Sequence, residues 1–293
     1  MSSNSLPGFL PCQTSFSTGA TTLKRFFNTA LKIGIGGASC EEGQSGVVLR
    51  ELFRPPREPS ALGIMVFSAL VGIATAEQLN AIGTILAIFA LLLHVFTFDA
   101  AFTAAQLRRK SRLALITILN AVPYIAATVA WRDYTLIVAL LAYTPVLAVY
   151  LALGLRGILR TPPGYVAGAA LLSYAAILSA ALAGNPTRST LLAFVLMMLY
   201  TASTAAYVES RLPIRKTSPL LPLVLWLPAP VLAAVEEPVL LLTCIEPSAK
   251  LLANTARNTK IDMKMIKRLG WIEFARLTFF TALLVAVLVL LRA

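Results

Sequence analysis

The chain has 293 residues, of which 58% are hydrophobic and only 13% charged, and its 25 Lys and Arg against 13 Asp and Glu leave a formal net charge of +12. A soluble domain carries about 25% charged and about 45–50% apolar residues, so this composition, with a mean hydropathy of +0.78, excludes an ordinary soluble enzyme or binding domain. The positive charge does not indicate nucleic acid, because no basic–aromatic module accompanies it; cation-rich connections facing a lipid bilayer with anionic headgroups account for it.

Residues 1–50 read as a poorly ordered tail, rich in Ser, Thr and Gly and without periodicity. No basic region runs into a long apolar stretch there, so no secretory signal is expected. Glu41-Glu42-Gly43 can be encoded by a purine-rich, ribosome-binding-like stretch, and valine codons include GTG. A translational start near Val47 or Val48, with the tail a start-site artefact, is therefore one reading of this region. Cys12, Cys40 and Cys244 form neither a CxxC nor a Cys/His spacing, so no metal site is expected from them.

Residues 51–293 hold nine apolar runs near the length of about 20 residues that a membrane span needs: 60–77, 80–98, 113–131, 134–153, 165–184, 189–207, 219–235, 238–254 and 272–291. Every second connection is basic. Arg108, Arg109, Lys110 and Arg112 follow the second run, and Arg156 and Arg160 the fourth. Arg211, Arg215 and Lys216 follow the sixth, and Arg257, Lys260, Lys264, Lys267 and Arg268 the eighth. The other connections are short and poor in cations: Glu77 to Asn80, Arg132-Asp133, Gly184 to Arg188, and Glu236-Glu237. The positive-inside rule then gives an all-α transmembrane bundle of nine helices in a cell membrane, N-terminus inside and C-terminus outside. The eighth run is interrupted by Glu246-Pro247 and Lys250, so a break at Pro247 and a Glu246–Lys250 pair at i,i+4 are expected. Small residues at Gly63, Ser68 and Gly72, and Ala-rich stretches over 167–183, predict close helix approach.

Ionisable and polar groups inside such runs are the places where chemistry can sit. His94 is the single histidine; it makes either a hydrogen bond to a neighbouring helix or a ligand, and one His excludes a bis-His haem. Asp99, Thr103 and Gln106 share a helix face just before the first cation cluster. They read either as a helix end neutralised by those cations or as the rim of a polar cleft for an anionic group. Tyr200, Thr204, Tyr207 and Arg211 repeat along one face of the sixth run, with Glu209 beside the stripe; interfacial anchoring and cleft lining both fit. Arg54 to Pro59 cannot be helical throughout, and Arg57 and Glu58 there join the candidate ligand-binding set. Glu273 and Arg276 sit three apart at the start of the last run and can pair, with Trp271 at belt height. No GxxxxGK[ST], HExxH or GxSxG motif stands in a credible context.

Three stretches together resemble the YwiC-like family of integral membrane proteins. They are Pro56-Arg57-Glu58 before the first run, Tyr207-Val208-Glu209-Ser210-Arg211 closing the sixth, and Lys267 to Glu273 opening the last. That family's first motif continues His-Gly-Ala-Trp, whereas this chain reads Pro59-Ser60-Ala61-Leu62. The resemblance spans roughly residues 50–293 and implies a multi-pass membrane protein, without bringing a reaction with it. The layout is also similar to UbiA-type intramembrane prenyltransferases, which have nine helices and active-site loops after the second and sixth. That likeness implies magnesium held by two Asp-rich motifs; here Asp99 has Thr103 at plus four, and Glu209 stands alone after the sixth run. Three expectations result. The first is a membrane protein that binds or moves a small anionic or lipid-soluble ligand through a cytoplasm-facing polar cleft. The second is a degenerate prenyltransferase, and the third a non-catalytic subunit of a respiratory complex.

Overall fold

In the computed structural model, residues 59–291 and Phe53 are described, except 108, 132, 133, 258 and 259. Contacts divide the chain into Met1–Leu49 and Arg50–Ala293, and the described residues all belong to the second unit. Arg57 and Glu58, like the tail with Cys12 and Cys40, lie outside the described residues.

The described residues are mostly helical, and each expected span coincides with one helix or with two that abut. In chain order these are α1 (Pro59–Thr75), α2 (Ala81–Gln106), α3 (Lys110–Trp131), α4 (Tyr134–Leu155), α5 (Pro162–Ser173) with α6 (Ala175–Ala183), α7 (Arg188–Arg211), α8 (Leu221–Trp226) with α9 (Pro228–Glu236), α10 (Leu241–Arg257) and α11 (Ile266–Leu290). α5 and α6 meet at Tyr174, and α8 and α9 at Leu227; both residues keep right-handed helical dihedrals, so each pair forms one bent span. Among the described residues, six spans are long and apolar enough to cross a membrane: α2, α3, α4, α5 with α6, α7 and α11. Two expected boundaries move. α2 runs past 98 to Gln106 and carries Asp99 and Thr103 on the helix, as their shared face implied, and α11 begins at Ile266 rather than at 272, which carries Glu273 two turns into the helix.

α10 is the departure with most consequence. Pro247 does not break it: the helix is continuous through the proline, whose ring is buried. Proline removes one i→i−4 bond, and packing holds the helix across that gap. Lys250 and Asn254 are turned inward with Thr243, while Leu242, Ile245 and Leu252 are exposed. The helix is thus polar inside and apolar outside, which suits a lipid surround.

The core lies around α1, which packs along α6 with α11 and α7 on its other flanks. Small residues permit this. A Cβ on Gly72 would lie 2.0 Å from the Ala176 carbonyl oxygen, and one on Gly83 2.1 Å from that of Leu182. The largest buried cluster gathers Tyr200, Trp226, Phe280 and Leu284 from α7, α8 and α11.

Five of the connections sort into two ends. Glu77 and Asn185 exchange backbone bonds of 2.9 and 3.1 Å, and Arg188 pairs with Glu236. The connections after α1, α6 and α9 therefore share one end. At the other, Ile261 N–H donates to the Arg211 carbonyl at 3.0 Å, and Lys260 Nζ donates to the Ser210 carbonyl at 2.6 Å. The basic connections after α7 and α10 are thus clasped together. Single cysteines at Lys216 and Lys264 are expected to be labelled by an impermeant maleimide from one side of the membrane, and cysteines at Gln78 and Glu237 from the other. Labelling of 216 and 264 from opposite sides would contradict this fold.

Candidate functional site

Four charges from two helices form a chain inside the bundle. Lys250 Nζ lies 2.9 Å from Glu273 Oε2, Glu273 Oε1 lies 2.7 Å from Arg276 Nη1, and Arg276 Nε lies 3.0 Å from Glu246 Oε1. The side chains of Lys250 and Glu273 are 4% and 7% exposed, against about one third for Arg276 and Glu246. Charges at membrane depth are costly unless paired, and this chain is neutral overall, two cations against two carboxylates. The expected i,i+4 pair of Glu246 with Lys250 is not the arrangement found. Each reaches across to α11 instead, because α10 presents both to the Glu273–Arg276 face, where Glu273 spends one oxygen on each cation.

α7 supplies the wall. Lys250 Nζ sits over two tyrosine rings, 5.2 Å from the centroid of Tyr200 and 5.0 Å from that of Tyr207, and donates to Thr204 Oγ1 at 3.4 Å. An ammonium ion is attracted to the negative face of each ring. Below lies an aromatic floor: Tyr200 stacks on Phe280 at 4.3 Å, with Trp226 edge-on to both. Trp226 Nε1 donates to Ser248 of α10 at 2.9 Å. Above, Arg211 lies over the Tyr207 ring at 5.9 Å, and Glu209 is 3.1 Å from Arg215 Nε. Thr204 is seven residues from the end of α7, about 10 Å at the helical rise. The charge chain thus sits just inside the cation-rich end.

Of the candidate residues, the structure gathers Tyr207, Arg211, Glu273 and Arg276 around this cluster, and adds Tyr200, Thr204, Glu246 and Lys250; Glu209 pairs with Arg215 instead. Tyr200 and Tyr207 are buried, so at these two positions the stripe on α7 faces the protein interior rather than a lipid interface. Trp271 is exposed in the second turn of α11.

The His94 group lies elsewhere. His94 Nδ1 contacts the Ala90 carbonyl at 2.7 Å, on its own helix rather than on a neighbouring one. It meets its neighbour through a ring edge, at 5.7 Å from Tyr124 of α3. Thr97 and Asn120 hydrogen-bond between α2 and α3 one turn further on, and Asp99 and the exposed Thr103 continue along that helix. The side chain of Gln106 is not among those described. Asp99 stands on α2, and Glu209 on α7 pairs with Arg215. Among the described residues, no three His, Cys, Asp or Glu come together in a way that could hold a metal ion.

Helix length, apolar outer faces and inward polar groups together define a multi-pass membrane protein of the helical-bundle class. Comparison with protein-family models, with curated proteins and with solved structures gives no match.

Proposed function

We propose that this protein lies in the cell membrane with its N-terminus and cation-rich connections in the cytoplasm. There it binds or moves a small anionic or lipid-soluble ligand through a polar cleft at the cytoplasmic end of α7, α10 and α11. The observation that carries the reading is the Lys250–Glu273–Arg276–Glu246 chain. Four paired charges in an apolar bundle, Lys250 and Glu273 buried and Glu246 and Arg276 half-buried, contribute little to stability that apolar side chains would not, and ionisable groups at this depth are characteristic of ligand and ion pathways. The aromatic floor supports it, since mostly apolar walls with a few convergent polar groups are the usual make-up of a small-molecule site. The basic connections at the mouth supply point charges and guanidinium forks for an acid group. The YwiC-like resemblance of the α7 and α11 motifs adds that two of its three stretches border this cluster.

The test is uptake of labelled phosphate and labelled acetate by proteoliposomes, with a short-chain benzoquinone as the lipid-soluble probe read by tryptophan fluorescence. Saturable uptake or quenching that Arg276→Gln removes is the expected result. Uptake no greater than in protein-free liposomes, together with a flat fluorescence response, would end the reading.

A further inference from the structure

We infer that the cleft opens by parting α10 from α11, and that the four charges exchange partners within each helix as it does so: Lys250 turns from Glu273 to Glu246, while Arg276 releases Glu246 and keeps Glu273. This rests on the proposed function, which places a ligand cleft between these helices.

The spacing makes the exchange available. Each helix carries one cation and one anion at helical-neighbour distance, Glu246 and Lys250 four apart on α10, and Glu273 and Arg276 three apart on α11. Side chains so spaced meet on one face, and the α11 pair is already made, at 2.7 Å. In the packed state the ion pairs that cross between the helices are Lys250–Glu273 and Arg276–Glu246. Breaking a cross-helix ion pair in an apolar medium ordinarily strands two charges. Here each helix leaves neutral, so separation strands none.

Three further features favour α10 as the moving part. Glu246 Oε2 is buried without a hydrogen-bond partner, so one carboxylate is incompletely satisfied in the packed state. Turning to the Lys250 ammonium, a three-donor group, supplies that oxygen with a donor. Pro247 lies between the two α10 charges and removes a backbone bond at that point, where bending is least costly. α10 also packs on α7, α8, α9 and α11 more sparingly than α7 packs on α5 or α8. The groups that face Glu246 and Lys250 from other helices are Glu273 and Arg276 of α11 and Tyr200, Thr204 and Tyr207 of α7.

The buried thiol of Cys244 on the inner face of α10 reports the motion. In a Cys12→Ser/Cys40→Ser chain in proteoliposomes, N-ethylmaleimide is expected to label Cys244 slowly but to completion. Lys250→Met and Glu246→Gln are each expected to slow labelling several-fold, because opening then leaves one unpaired charge on α10. The double variant, with no charge on α10, should label at least as fast as the parent. A static clamp predicts the opposite order: each single variant removes a cross-helix link and labels faster, and the double fastest. That order, equal rates in all four proteins, or no labelling of the parent would overturn the inference. Should Lys250→Met fail to fold, the near-isosteric Glu246→Gln decides alone. Labelling requires no ligand. Failure to take up phosphate or acetate therefore leaves this result untouched, and the reverse labelling order leaves the transport result untouched.

Discussion

Replacing Glu273 with leucine is expected to be the most damaging single change near the charge chain, at about 3–5 kcal/mol, the range for breaking a buried ion pair by removing one partner. Among the described residues, Glu273 is the carboxylate that pairs with Lys250. Its loss leaves that ammonium with one long hydroxyl contact and two ring faces. Lys250→Met should cost less, since Glu273 keeps Arg276 at 2.7 Å. The double variant Lys250→Met/Glu273→Leu should be markedly more stable than Glu273→Leu alone. It removes both charges together and leaves Arg276 with Glu246, and apolar replacement of a whole buried pair is often neutral. Unfolding by SDS titration from dodecylmaltoside micelles gives the three values and hence the coupling. A double variant whose cost equals the sum of the single costs would show that the two groups are not coupled.

This ordering depends on which partner each charge has, and that is the part of the site the sequence leaves open. Hydropathy and cation periodicity are properties of the chain alone, so nine apolar spans and the alternation of their connections are legible without a structure. The stripe Tyr200, Thr204, Tyr207 and Arg211 is also legible as one face, from helical spacing. What it faces is not, because that depends on how α7 and α10 rotate about their axes in the packed bundle. The i,i+4 spacing of Glu246 and Lys250 equally fits a pair within the helix and a shared face turned to α11. The choice is made by the earlier start of α11, which brings Glu273 and Arg276 level with α10. α10 is hard to read for the same reason: its polar residues are needed inside, so its average hydropathy falls below that of its neighbours although its outer face is apolar. The His94 face had the same sequence-level claim as the α7 stripe, a polar group at membrane depth. Its partner proved to be its own helix, an arrangement that spacing alone does not separate from a ligand.

The close approach of α1 and α6 carries the second large effect. A Cβ at Gly72 would stand 2.0 Å from the Ala176 oxygen, 2.7 Å from its carbonyl carbon and 2.8 Å from its Cα. All three are backbone atoms within a helix, so no side chain can swing aside, and the helices must separate. α1 is held at the same time by α6, α7 and α11, so a shift away from one face presses on the others. Overpacking of a core commonly costs about 1–3 kcal/mol; Gly72→Ala should lie at or beyond the top of that range, and Gly72→Leu should fail to accumulate as a monodisperse protein. Gly270 provides the contrast on α11: a Cβ there meets nothing within 4 Å, and removing a helical glycine's backbone freedom is worth about 0.5–1 kcal/mol, so Gly270→Ala should be neutral or slightly stabilising. Expression and thermal unfolding of the two alanine variants side by side separate the steric term from the propensity term. If both variants behaved alike, the α1–α6 contact would be looser than the 2.0 Å approach requires. The small-residue spacing of α1 would then have no structural role at that crossing.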